Sequence, residues 1–124
     1  MKYAILIARI ILGLIFIVFG ANAFVHFIPA QPMPGNAGAF IGALINSGYV
    51  YAIGALQVLG GLCLLIHPRF VALGLTLLGP IIVNIVLFHI FMAPSGLVLG
   101  LIVSLLALFL LWIYRFKFHS IFEI

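Results

Sequence analysis

Four long apolar runs, separated by short segments rich in proline, glycine and small polar residues, account for most of the 124-residue chain. They cover about residues 3–24, 49–66, 70–91 and 97–114. At a rise of about 1.5 Å per residue each is long enough, or nearly so, to cross a hydrocarbon core about 30 Å thick. The pattern therefore predicts an all-α protein: a transmembrane four-helix bundle forming a single membrane domain over residues 1–124.

Between the first two runs, the segment over residues 26–48 is the longest connection. Ile28 to Asn36 holds three prolines and a glycine in nine residues, which breaks a helix and directs the chain along the membrane surface. Residues 37–45 then predict a short interfacial or re-entrant helix ending near Asn46, Ser47 and Gly48. His67-Pro68-Arg69 and Ala93-Pro94-Ser95-Gly96 are turns between antiparallel neighbours. Within the runs, Gly13 and Gly20 lie seven apart on one face, and Gly54, Gln57 and Gly61 share another, where small residues let helices approach. Gly79-Pro80 predicts a kink or loosening in the third run, since proline leaves the carbonyl four residues back without its donor.

Charge sets the orientation. All five basic residues, Lys2, Arg9, Arg69, Arg115 and Lys117, fall at alternate ends of the runs, so threading brings them to one side. The positive-inside bias makes that side cytoplasmic and places both termini there. Trp112 and Tyr114 beside Arg115 and Lys117 make an interfacial anchor. Lys2, Arg9, the apolar stretch after them and Ala21-Asn22-Ala23 imitate a cleavable secretory signal, but the segment is expected to be retained as the first span.

With 68% hydrophobic and 5% charged residues and a mean hydropathy of +1.52, little remains to cover a water-facing surface. The formal charge of +4 is used up by topology and forms no run, so nucleic acid is not an expected partner. Cys63 is the one cysteine, which excludes an intrachain disulfide, a paired-thiol oxidase and a multi-thiolate metal site. Glu123, at the C-terminus, is the one acidic residue. Carboxylate-bridged metal centres, calcium or magnesium cages and carboxylate proton relays therefore cannot be built from this chain alone.

What polar chemistry remains sits inside or at the ends of the spans, where it is costly and so marks candidate sites. Gln57 falls near the midplane, Asn84 slightly outward of it, and Asn22, His26 and His89 near the outer boundary. Asn22 and His26 are four apart and share a face. One reading has these groups hydrogen-bonding between helices to hold the bundle together. The other has them holding the oxygens of a quinone or similar carbonyl compound, with phenylalanines packing its ring. Arg9 has two readings as well: an orienting arginine that snorkels to the headgroups, or one that turns inward to an anion, a carbonyl or a partner's carboxylate. Haem is not supported, because His26, His67, His89 and His119 all fall at span ends or in loops. Zinc lacks a third ligand. No metal, covalently bound cofactor or catalytic constellation is expected, and a transport path is not supported either, since the fourth span supplies only Ser104.

Three stretches together resemble the DoxX-like family of small four-span bacterial membrane proteins: Arg9 to Gly20, Leu56 to Leu65, and Asn84 to His89 before Pro94. The resemblance covers most of the chain. It implies a multi-pass protein of the bacterial cytoplasmic membrane, associated with redox processes that include quinone-linked thiosulfate oxidation and oxidative-stress complexes. Members of that family look to have a glutamate where this chain has Gln57, and a lysine where it has Ala21-Asn22-Ala23. The leading functional expectation is accordingly a non-catalytic accessory subunit of a membrane redox or respiratory assembly, with the lipid bilayer and other membrane subunits or further copies of itself as partners. The alternative is a quinone-interacting oxidoreductase component with a headgroup site built from Arg9, Gln57, Asn84 and His89, with Asn22 and His26 as further candidates.

Overall fold

The computed structural model describes residues 1–26 and 33–122. Five α-helices follow one another: α1 (Lys2–Val25), α2 (Gly35–Ser47), α3 (Tyr49–Ile66), α4 (Val71–Phe91) and α5 (Leu97–Ile113). Single 3-10 turns, Pro68–Phe70 and Pro94–Gly96, join α3 to α4 and α4 to α5, and a longer 3-10 segment, Arg115–Phe122, follows α5. Each of the two turns starts on a proline, whose fixed φ suits a first helical position and whose missing N–H costs nothing there. Most of the proline-rich stretch between α1 and α2 lies outside the described residues, as does Glu123.

Counted with their leading turns, the four stretches Lys2–Val25, Tyr49–Ile66, Pro68–Phe91 and Pro94–Ile113 are long and apolar enough to cross a membrane. This architecture is compatible with a small multi-pass integral membrane protein. The helices pack in the ring order α1, α3, α4, α5, with α1 against α3 the most extensive interface and α1 against α5 the slightest. Their antiparallel succession gathers Lys2, Arg69, Arg115 and Lys117 at one end, the basic end. There the Arg115 guanidinium lies 3.9 Å from the centre of the Trp112 ring and donates to the Trp112 carbonyl at 2.7 Å. At the opposite end α2 lies against α3, and its Phe40 ring meets Phe88 of α4 at 5.5 Å.

The α1–α3 interface follows from glycine spacing. A Cβ added to Gly20 would fall 2.7 Å from the Gly54 carbonyl oxygen, and one added to Gly54 would fall 2.8 Å from that of Gly20. Seven residues along each helix the relation repeats: Gly13 would meet the Gly61 oxygen at 3.0 Å and Gly61 the Gly13 oxygen at 2.6 Å. Backbone thus rests on backbone at two levels, a distance at which Cα–H groups contact carbonyl oxygens directly. The neighbouring glycine, Gly60, serves α4 instead, leaving room for the Leu78 side chain.

The core holds Leu12, Leu64, Leu78 and Leu110, one from each membrane-length helix and each with no exposed surface. Ala8, Phe16, Val71, Leu75, Ile82 and Val103 complete it. α4 runs continuously through Gly79-Pro80, so the helix carries the proline within its length rather than stopping there.

Candidate functional site

Five polar side chains of the membrane-length helices show how this chain handles polarity in an apolar setting. Four turn back on their own helix. The Thr76 hydroxyl donates to the Ala72 carbonyl at 2.8 Å, the Asn84 amide to Pro80 at 2.8 Å, the Ser104 hydroxyl to Gly100 at 2.7 Å, and His89 Nδ1 to Ile85 at 2.7 Å. Each reaches the carbonyl one turn earlier, so these bonds stay within single helices and do not tie helices together.

Arg9 is the fifth and the exception. It is 8% exposed, and its Nε donates to the Leu64 carbonyl of α3 at 2.8 Å. That oxygen needs a donor: the residue four positions on, which would supply one inside a continuing helix, is Pro68, which has no N–H. The guanidinium therefore finishes the end of α3 from α1. It turns inward to a carbonyl of its own chain, in line with the second of its two readings, rather than reaching out to headgroups.

Two cavities flank the α4–α5 pair. The larger, about 420 Å³, is a groove lined by Leu75, Gly79, Ile82, Val86, Ser104 and Leu108 among others. Its one hydroxyl, that of Ser104, is already directed to Gly100. The smaller, about 320 Å³, lies where all four membrane-length helices meet in the half away from the basic end. Ile15, Phe16 and Phe19 of α1, Gln57 of α3, Ile85 and His89 of α4 and Leu99, Gly100 and Val103 of α5 line it. Phe19 and Leu99 are also exposed, which puts its mouth at the slight α1–α5 contact.

This second cavity is the candidate site, because it combines apolar walls with two polar groups, the composition of a small-molecule pocket. Gln57 enters it from the glycine interface: an added Cβ on Gly20 would come within 2.9 Å of the Gln57 Cβ, so the bare glycine makes its place. Its carboxamide has no hydrogen-bond partner among the described residues, and none of their side-chain polar atoms is both buried and unbonded. The amide is therefore reachable from the cavity. His89 is held by three neighbours: the Ile85 carbonyl accepts a hydrogen bond from its Nδ1–H, Phe88 meets the ring edge-on at 5.2 Å, and Gly96 leaves room for the Cδ2–Nε2 edge.

The six sequence candidates thus separate. Gln57 and His89 share a cavity. Asn84 is exposed on another face of α4 and lines neither space, so a pocket shared by Gln57 and Asn84 is not what forms. Arg9 lies at the other end of the bundle. Asn22 is half-buried near the end of α1 and has interactions of its own. His26 is exposed, with left-handed backbone (φ 57°) where its N–H closes α1 on the Asn22 carbonyl. Residues absent from that set are Gly100, which lines the cavity, and Gly96 of the preceding turn, which packs against the His89 ring. Among the described residues no three of His, Cys, Asp and Glu come together. No protein-family model, curated protein or solved structure matches the chain.

Proposed function

We propose that this chain is a DoxX-like accessory subunit of a membrane redox or respiratory assembly in a bacterial inner membrane, and that it contributes a binding cavity for a quinone-type headgroup. The observation that carries this reading is the cavity of about 320 Å³ where Gln57 presents an unbonded amide beside His89. An amide without a partner in hydrocarbon costs free energy until something bonds it, about 1–3 kcal/mol by mutational measures. A ligand that supplies the missing bond recovers that cost. The volume is at the low end of small-molecule pockets, about 300–1,000 Å³. It suits a single substituted ring, with Phe16 and Phe19 against its faces and any tail leaving between α1 and α5 into lipid. When bound, a quinone supplies two-electron redox chemistry; the residues here bind and orient it.

Orientation follows from the basic end. Four of the five cations lie there, and the positive-inside bias makes that end, with both termini, cytoplasmic. The cavity then opens toward the outer leaflet.

Binding of a short-tailed benzoquinone to the purified protein in detergent tests the site. Gln57→Leu keeps the volume and removes the amide, and loss of binding of roughly tenfold or more is expected. Unaltered binding by that variant would sink the reading. The accessory role is tested by mild extraction from the native membrane, where copurifying membrane subunits are expected and a monomer without partners counts against it.

A further inference from the structure

The donor and acceptor pattern of the cavity is more selective than its size. The Ile85 carbonyl oxygen can only accept, so the 2.7 Å bond requires the proton to be on His89 Nδ1. In the neutral imidazole the second nitrogen, Nε2, then carries a lone pair and no hydrogen. Nε2 has no hydrogen-bond partner among the described residues, and it is not a buried orphan. Gln57 offers both an N–H donor and a carbonyl acceptor.

We infer that the cavity selects the hydroxyl-bearing, reduced form of its ligand, a quinol or other phenol, over the quinone. This rests on the reading of the cavity as a quinone-type site. A quinone carbonyl satisfies the Gln57 amide but brings no hydrogen for Nε2, which it leaves unbonded or faces lone pair to lone pair. A hydroxyl donates to Nε2, and the same or the opposite oxygen still accepts from Gln57. The helix carbonyl of Ile85 sets the preference at one remove, by fixing which nitrogen keeps a lone pair and no hydrogen. Gly96 makes room for this ring orientation: its bare Cα lies against the Nε2–Cδ2 edge, where an added Cβ would come within 2.5 Å of both atoms.

The test compares one short-tailed benzoquinone with its own quinol, held reduced under anaerobic conditions, and with the quinol's dimethyl ether, which keeps the shape and loses both hydroxyl hydrogens. The quinol is expected to bind roughly tenfold tighter than the quinone or the ether, the factor for one buried hydrogen bond made or missed. His89→Phe, which keeps a ring and removes the acceptor, is expected to bring quinol and quinone to equal affinity. Equal or tighter binding of the quinone by the unaltered protein overturns the inference while leaving the cavity a quinone site. A preference that survives His89→Phe overturns the assignment to Nε2. Absence of binding by all three compounds overturns both this inference and the reading beneath it. The ether comparison uses the unaltered chain, so it stands even if the His89 variant fails to fold.

Discussion

Along the bundle axis, the half nearer the basic end and the half nearer α2 are made from the same four apolar helices, yet they close differently. In the first, Leu12, Leu64, Leu78 and Leu110 leave no exposed surface, and the one buried cation, Arg9, has its acceptor in Leu64. In the second, a space of about 320 Å³ remains where the four helices meet, and Gln57 has no hydrogen-bond partner among the described residues. Hydrophobicity does not distinguish the halves, because lipid is as apolar as leucine and does not drive helices together. What distinguishes them is where small residues permit close approach and where backbone groups lack donors. The closed half spends its polar group on finishing a helix; the open half leaves one without a hydrogen-bond partner among the described residues.

The sharpest way to break this contrast is to wedge apart the seam that both halves depend on. At Gly54 an added Cβ would lie 2.8 Å from the Gly20 oxygen and from the Ala23 Cβ, neither of which yields easily. Gly54→Ala is expected to cost about 1–3 kcal/mol through overpacking, and Gly54→Leu more. Thermal stability followed by size-exclusion chromatography in detergent measures this. Gly79→Ala is the matched control, since nothing lies within 4 Å of its added Cβ. A change within about 0.5 kcal/mol is expected there, and equal damage from both variants would show that the glycine contacts do not hold the seam.

Next in size is Arg9. Arg9→Leu removes a buried cation but strands the Leu64 carbonyl beside Pro68, and the stranded group decides the sign: a loss of about 1–3 kcal/mol. Arg9→Lys retains a donor without the fixed planar geometry, so its stability is expected to fall between the other two. A leucine variant as stable as the parent would mean that the desolvation of the guanidinium offsets its bond, and the closed half would owe nothing to its charge.

Much of this layout is legible in the sequence, and the residues show where legibility stops. Four apolar runs give the four helices because span length is fixed by membrane thickness. Gly13 with Gly20, and Gly54 with Gly61, mark a close-packing face on each of two helices because a spacing of seven returns to the same face after two turns, but they do not say that these two faces meet. Asn84 and His89 could not both be placed on one cavity: five residues apart on a helix, they diverge by about 140°. Which of them points inward depends on what packs against it, and that is marked only by Gly96 in the turn before α5 and Gly100 within α5. Arg9 is conspicuous as a charge inside a run, but its acceptor is not. Its trace was Pro68, which removes the donor that Leu64 expects, a cue that becomes meaningful only once α1 and α3 are known to be neighbours.

The smallest expected effect on stability tests the open half most specifically. Gly96 and Gly100 both face His89, but with different room. An added Cβ at Gly96 would meet the ring at 2.5 Å, whereas at Gly100 the nearest atom is Ile85 Cγ2 at 3.7 Å, an ordinary contact. Gly96→Ala must therefore displace the imidazole, which strains its bond to Ile85 and shifts a ring that lines the cavity; Gly100→Ala only narrows the space. Both are expected to unfold within about 1 kcal/mol of the parent, because the cavity absorbs part of the added volume. Their effects on ligand affinity are expected to differ, with a several-fold loss for Gly96→Ala and little change for Gly100→Ala. Equal losses would mean that volume alone governs binding and that the orientation of His89 contributes nothing.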